Sequence, residues 1–114
     1  MTRESVNHFI EIRTLTLKLG TRQEFRQLYL GQALPLLKRW NFDVVAHGPS
    51  LHDENTYYVI RHYESLQQRA QMEDTYYASD DWRQGPREAL LALIENYVDA
   101  VFEVDEATLQ GLYK

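Results

Sequence analysis

In the stretch "NHFIEIRTLTLKLG", residues 7–20, apolar and polar side chains alternate as in a β-strand. Ile10 and Ile12 share one face and Glu11 and Arg13 share the other, because successive side chains of a strand point to opposite sides. Two leucines follow at the parity of the charged pair, and the β-branched residues of the stretch favour a strand. The stretch therefore predicts a strand with two faces to cover, one apolar and one part charged and part apolar.

Length and composition limit the class of protein. The chain has 114 residues, of which 44% are hydrophobic and 25% charged, values typical of one globular domain. A net charge of −5 disfavours a nucleic-acid partner, which would need clustered Lys and Arg. Because the sequence contains no cysteine, a disulfide framework and Cys-based zinc ligation are excluded.

The sequence also predicts the compartment and the domain organisation. No apolar run reaches the length of a membrane span, and the N-terminal residues lack the apolar segment of a signal peptide. We therefore expect a cytoplasmic protein with neither a membrane nor a nucleic-acid partner. We expect a single domain over residues 1–114, with a core at about 8–104 and a short, helical or frayed tail at 105–114.

Three more strands and two helical connections follow the first strand. Apolar residues recur at helical spacing over 25–40, with an interruption expected at Pro35, which lacks a backbone donor. Strand patterns occur at 42–48, 56–63 and 97–104, and the last two are separated by a second helical connection. The order β-α-β-β-α-β predicts an α+β, ferredoxin-like fold, with a four-stranded antiparallel sheet and helices on one face.

Strand parity assigns the side chains to the two faces of this sheet. We expect the uniformly apolar face to lie under the helices, with Ile10, Ile12, Ile60, Val98, Ala100 and Phe102. The opposite face would carry Glu11, Arg13, Leu15, Leu17, Tyr57, Val59, Arg61, Tyr97, Asp99 and Val101, joined by Val45 and His47. This second face is too apolar for bulk water and too charged for a plain core. We therefore predict a homodimer in which two such faces pack together.

The charged residues of the second face allow two interpretations. Glu11, Arg13, Arg61 and Asp99 can form a structural set of ion pairs that fixes the register of the sheet. They can equally line a ligand site, since structural and functional ion-pair networks look alike in a sequence. Both interpretations are compatible with the homodimer.

Four segments together resemble the NIPSNAP family. They are "FIEIRTLTLKLG", "ALPLLKRWNF", "YVIRHYESL" and "YYASDDW", and they extend over most of the domain. The resemblance implies a homodimer with the dimeric α+β barrel form of the ferredoxin-like fold. The family has no generally accepted chemistry. Relatives at the level of the fold include cofactor-independent monooxygenases, haem-degrading enzymes and polyketide-processing proteins, and a shared fold does not identify a function.

Candidate site residues follow from the second face and from the aromatic residues. We expect two arginines to orient an anionic or enolate-like group, two tyrosines to wall the pocket, and a tryptophan either to cap it or to close the helix layer. These ligand-binding candidates are Arg13, Arg61, Tyr57, Tyr97 and Trp82. The candidates for moving a proton are His47, Glu11 and Asp99.

The histidines give no metal-ligand motif. No pair among them has the i, i+4 spacing of ligands on a helix, so we predict no metal and no cofactor. His52 with Asp53 and Glu54 could chelate weakly, but a solvated hairpin loop explains the same residues.

Two classes of function remain open. The first is binding of a small, partly aromatic or anionic molecule, in a cavity between sheet and helices or at the sheet–sheet interface. Cofactor-independent oxygenase or isomerase chemistry would extend it, so the sequence leaves open whether the protein is an enzyme. The alternative is a non-catalytic interaction or regulatory module. A cavity of a few hundred cubic ångströms would favour the first, and a filled interior with both arginines tied to carboxylates would favour the second.

Overall fold

The computed structural model describes residues 7–113 and contains one four-stranded antiparallel sheet. The strands are β1 (His8–Leu17), β2 (Asp43–Pro49), β3 (Thr56–Tyr63) and β4 (Ile94–Val104), and they lie in the order β2-β3-β1-β4. β1 occupies the interior of the sheet and pairs with both β3 and β4. This architecture confirms the ferredoxin-like α+β fold that the sequence predicts.

Within residues 7–113, five helices occupy the two predicted connections and a sixth follows β4. They are α1 (Arg22–Leu28), α2 (Leu34–Arg39), α3 (Leu66–Tyr77), α4 (Asp80–Arg83), α5 (Arg87–Leu91) and α6 (Glu106–Leu112). A π-helical turn, Tyr29–Ala33, joins α1 to α2, so the interruption falls just before Pro35. No helix within residues 7–113 has both the length and the hydropathy that a membrane crossing requires.

The predicted assignment of side chains to the two faces is wrong. Leu15, Leu17, Tyr57 and Val59 are buried in the core together with Phe25, Tyr29, Leu37, Tyr76 and Leu90 of the helical connections. The register places the other residues of this face beside them: Arg13 lies between Val59 and Asp99, and Glu11 between Arg61 and Val101. We call this side of the sheet, which carries Glu11, Arg13, Leu15, Leu17, Tyr57, Val59, Arg61, Tyr97, Asp99 and Val101, the helix face.

The residues expected under the helices lie on the opposite side of the sheet. We call this side, with Ile10, Ile12, Thr14, Tyr58, Ile60, Val98, Ala100 and Phe102, the open face. α6 covers one end of it, where Leu109 packs against Ile10 and Val45. The predicted tail at 105–114 is therefore a packed helix over Glu106–Leu112. Beyond α6, Val98 and Phe102 are 62% and 52% exposed.

A β-bulge in β2 separates Val45 from His47. The pairing of β2 with β3 shifts between Val44 and Ala46, because a bulge inserts one extra residue and reverses the parity beyond it. Val45 consequently faces α6 on the open face, whereas His47 stays on the helix face opposite Val59.

Candidate functional site between sheet and helices

A cavity of about 680 Å³ lies between the helix face and the helices. Apolar side chains of the core, including Leu15, Val59 and Leu90, form much of its wall. Tyr77, Trp82 and Tyr97 add aromatic surface. Its volume falls within the range of about 300–1,000 Å³ that is usual for small-molecule sites. The cavity is therefore large enough for a flat organic ligand.

Arg61 lines this cavity and has unused hydrogen-bond donors. The residue is 4% exposed, and its Nη2 donates to the hydroxyl of Tyr77 at 3.0 Å. Neither Nε nor Nη1 has a hydrogen-bond partner within residues 7–113. The nearest oxygens of Glu11 and Glu73 lie 3.9 Å from Nη1, which is too far for a hydrogen bond. Two donor nitrogens of this buried guanidinium, Nε and Nη1, are thus unpaired, in a residue that lines the cavity.

Arg13 also lines the cavity, but its guanidinium is already paired with a carboxylate. Its Nε and Nη2 donate to the two oxygens of Asp99 at 2.7 and 2.9 Å, a bidentate ion pair. Its guanidinium lies 4.7 Å from the centroid of the Tyr97 ring, within the range of a cation–π contact. Arg13 therefore builds one wall of the cavity, whereas Arg61 has the free donors.

The two arginines belong to a cluster of six charged residues on and above the helix face. Its members are Arg13, Arg61 and Arg69 with Glu11, Glu73 and Asp99. Glu11 is fully buried and accepts from Nε of Arg69 at 2.9 Å. Glu73, which lines the cavity, accepts from the hydroxyl of Tyr63 at 2.7 Å. The net charge of the cluster is zero when its three arginines and three carboxylates are all ionised.

The two glutamates of the cluster hold a proton near neutral pH. Burial, followed by a hydrogen bond with Glu73, raises the pKa of Glu11 to about 7. Burial acts in the same sense on Glu73, but hydrogen bonds with Glu11 and Tyr63 outweigh it and keep the pKa of Glu73 below its usual value. When Glu11 is protonated, the cluster carries one net positive charge, which favours an anion in the cavity.

The structure brings together four of the five predicted ligand-binding residues. Arg13, Arg61, Tyr97 and Trp82 all line the cavity, and Trp82 packs edge-on against Tyr77 with 5.2 Å between ring centroids. Tyr57 does not line it. Glu11 and Asp99 lie behind the wall, in contact with its arginines.

The fifth binding candidate, Tyr57, and the third proton-transfer candidate, His47, form a separate pair. The hydroxyl of the fully buried Tyr57 lies 2.8 Å from Nδ1 of His47. Burial, then the positive charges of Arg26 and Lys38, lower the pKa of His47 below its usual value. His47 is therefore neutral at pH 7 and away from the charged cluster.

Sequence reasoning missed the contribution of α3 to the site. Arg69, Glu73 and Tyr77 are spaced i, i+4 and i+8, which places them on one face of that helix. This face points at the sheet, where Tyr77 accepts hydrogen bonds from both Arg13 and Arg61. A polar stripe at helical spacing was the available signal, and it supplies the charges that match those of β1 and β3.

The fold and the cavity define an α+β protein of the ferredoxin-like class. A NIPSNAP family protein from Agrobacterium tumefaciens str. C58 is similar to this chain with a TM-score of 0.83 at 14% identity, over 96% of each chain. A second NIPSNAP family protein from that strain, with unknown function, gives 0.82 at 21% identity, over 92% of this chain and 95% of its own. A putative antibiotic biosynthesis monooxygenase from Nitrosomonas europaea is similar with a TM-score of 0.59 at 10% identity. The match covers 90% of this chain and 93% of that protein.

These similarities establish the fold, and the family follows from the sequence. The NIPSNAP family profile matches residues 10–109. The chain therefore belongs to the NIPSNAP family, as its four segments predict. No curated protein matches the sequence significantly.

Proposed function

We propose that this protein binds a small, flat, partly aromatic anion in the cavity between sheet and helices, with Arg61 as the anion-binding residue. One observation carries the proposal: two donor groups of the buried Arg61, Nε and Nη1, have no hydrogen-bond partner within residues 7–113, and this residue lines a cavity of about 680 Å³. A buried donor without a partner costs about 1–3 kcal/mol. A carboxylate or enolate that accepts from both groups would remove this cost through charge-assisted hydrogen bonds.

The rest of the wall fits the same ligand. Tyr77, Trp82 and Tyr97 offer ring surfaces to a flat molecule. The hydroxyls of Tyr29 and Tyr76, both lining residues, also lack hydrogen-bond partners in the part of the chain that the structure describes. These two hydroxyls add unpaired polar atoms to residues of the wall.

Proton transfer to or from the bound molecule extends this proposal. Glu73 lies in the cavity wall and shares its arginine partners with Glu11, whose pKa burial raises to about 7. A carboxyl pair of this kind is suited to general acid–base chemistry at neutral pH, such as an isomerisation through an enolate held by Arg61. Oxygenase chemistry is supported here only by likeness of fold to a putative monooxygenase, which is a weaker argument.

The rival function, a non-catalytic interaction module, fits the interior less well. It would be favoured by a filled interior with both arginines tied to carboxylates. Arg13 is hydrogen-bonded to Asp99, whereas Arg61 is within ion-pair distance of Glu11 and Glu73, at 3.9 Å, without a hydrogen bond to either. The cavity is also of ligand size. A small-molecule ligand accounts for both the space and the free donors of Arg61.

We also propose a homodimer, formed through the open face instead of the helix face. The eight residues that define the open face carry no charge, and Val98 and Phe102 are largely exposed. An uncharged apolar patch suits a copy of itself better than a charged partner surface. A cytoplasmic location completes the proposal and is supported by the absence of cysteine.

The binding proposal is tested with two ligands of the same shape, 2-naphthoate and its neutral amide, 2-naphthamide. Isothermal titration calorimetry should show that the protein binds the carboxylate about tenfold or more tightly than the amide, because a hydrogen bond to a charged group contributes about 1.5–3 kcal/mol. The preference should vanish in Arg61→Met. If that variant does not fold, Arg61→Lys, which keeps the charge but not the forked donors, should reduce the preference. Equal affinity for both ligands in the wild type would refute the proposal.

A further inference from the structure

A second cluster of titratable residues lies on the opposite side of the sheet from the cavity, under α6. His8 and His62 are both buried, and Nδ1 of His8 lies 2.8 Å from Nε2 of His62. Each outer ring nitrogen meets a carboxylate: Nε2 of His8 is 2.7 Å from Glu106, and Nδ1 of His62 is 2.9 Å from Asp43. His62 pairs across the sheet with Ile10 of the open face, so the cluster is separate from the proposed ligand site.

The close contact between the two imidazole rings requires a cation. A carboxylate accepts hydrogen bonds, so each outer nitrogen carries its N–H toward Glu106 or Asp43. A neutral imidazole has a single N–H, so both inner nitrogens are left with lone pairs. Two lone pairs at 2.8 Å repel each other unless a proton or a metal ion lies between them.

Glu64 completes a set of three metal-ligating groups. Its carboxylate lies 4.0 Å from Nδ1 of His8 and 3.9 Å from Nε2 of His62, and its side chain is 63% exposed. Two histidines and one glutamate are a known ligand set for zinc. A carboxylate behind each ligating imidazole is the usual outer shell of such a site, since it fixes the tautomer and the orientation of the ring.

We propose that His8, His62 and Glu64 bind one divalent transition-metal ion, with Zn²⁺ the best match. Two nitrogens at the usual Zn–N distance of about 2.0–2.1 Å with tetrahedral geometry are about 3.4 Å apart, so the rings need to separate by only about half an ångström. Asp43, Glu64 and Glu106 surround the position with three carboxylates, which a doubly charged ion balances better than a proton does. The exposed side of Glu64 leaves the fourth coordination position to water.

α6 provides a carboxylate behind one ligand of the proposed metal site but none of the three ligands themselves. Glu106 is the first residue of α6, and Tyr113, just beyond its last turn, donates a hydrogen bond to the same Asp43 oxygen that meets His62. Leu109 of this helix packs on Ile10. Because a ligand that binds only the folded state stabilises it, Zn²⁺ should raise the melting temperature of the protein.

The test is calorimetric titration of Zn²⁺ alone into untagged protein that has been treated with a chelator and dialysed. We expect one ion per chain. His8→Ala should abolish binding, and Glu106→Gln, an exposed position behind His8, should weaken it about 10–100-fold. His52→Ala, in the exposed β2–β3 loop, is the matched control and should bind as the wild type does. If His8→Ala does not fold, Glu64→Gln at its exposed position should still weaken binding about tenfold or more.

Two results would overturn the metal site. One is the absence of saturable Zn²⁺ binding by the wild type, which would mean that a proton alone joins the two rings. The other is wild-type affinity in both Glu64→Gln and Glu106→Gln.

Discussion

The two faces of the sheet reverse the usual relation between hydrophobicity and burial. The helix face carries Glu11, Arg13 and Arg61 among its apolar residues, yet it forms the interior. The open face is uncharged over most of its area, yet Val98 and Phe102 remain exposed. Charge is tolerated under the helices because α3 supplies matching charges and hydrogen bonds. Burial in this protein therefore depends on what the covering element offers, more than on the polarity of the strand residues.

The largest expected effect is a difference in stability between alanine variants of two neighbouring residues of β1. Leu15 belongs to the core, so Leu15→Ala should lower the free energy of unfolding by about 2–5 kcal/mol through lost burial and a cavity. Thr14 is exposed on the open face, and Thr14→Ala should cost less than about 1 kcal/mol. Urea denaturation of both variants measures the difference. A larger loss for Thr14→Ala would show that the two faces have been assigned in reverse.

The second effect concerns the buried carboxyl of Glu11 and its pH dependence. Its pKa is raised from 4.5 to about 7, so between these values the folded protein holds a proton that the unfolded chain has lost. Stability contributed by this group is full below pH 4.5 and falls as the pH rises through 7. At about 1.4 kcal/mol per pKa unit, the loss is about 3 kcal/mol. The lowered pKa of Glu73 acts below pH 4.5 and does not overlap this window.

Glu11→Gln removes the titration while keeping the shape of the side chain. The variant should gain stability relative to the wild type, by about 2–3 kcal/mol, between pH 5 and pH 8. Denaturation curves at several pH values measure this gain, with Glu54→Gln in the exposed β2–β3 loop as the control. A difference between Glu11→Gln and wild type that stays constant with pH would contradict a protonated Glu11.

A smaller effect tests the open face as a dimer interface. Phe102→Asp places a charge in the centre of an uncharged apolar patch and should raise the dimer dissociation constant about tenfold or more, equivalent to at least about 1.4 kcal/mol. Leu51→Asp makes the same kind of change in the β2–β3 loop, where the side chain is 100% exposed, and should leave the dimer intact. Light scattering coupled to size-exclusion chromatography distinguishes them. A wild type that is monomeric at micromolar concentration would remove the dimer from the account.

Local patterns predicted the elements of this fold correctly, whereas the assignment of faces needed information from distant residues. The bounds of β1 and β3 agree with the alternation at 8–17 and 56–63, because alternation is a property of the strand itself. Glu11 is buried because Arg69, 58 residues further along the chain, donates to it. No local pattern in β1 contains that partner. The local pattern therefore predicts that the face carrying Glu11 lies away from the helices.

The candidate site was predictable in composition and less so in arrangement. Arg13, Arg61 and Tyr97 were identified by residue type and strand parity, and Trp82 by its place in the second helical connection; all four line one cavity. The grouping of the three strand residues did not depend on which face the helices cover, because parity alone keeps them together. The bulge in β2 and the packing of α6 on Ile10 were not visible in the sequence, since both depend on contacts between elements.

The most direct measurement of the central claim follows the arginine Nε–H signals by ¹H–¹⁵N NMR while 2-naphthoate is added. In the free protein, Nε of Arg61 has no partner within residues 7–113, and Nε of Arg13 already donates to Asp99 at 2.7 Å. If Arg61 binds the anion, its Nε–H signal should move downfield and saturate with the ligand, while the Arg13 signal should move much less. A saturating shift of the Arg13 signal with an unchanged Arg61 signal, or no shift of either, would contradict the proposal.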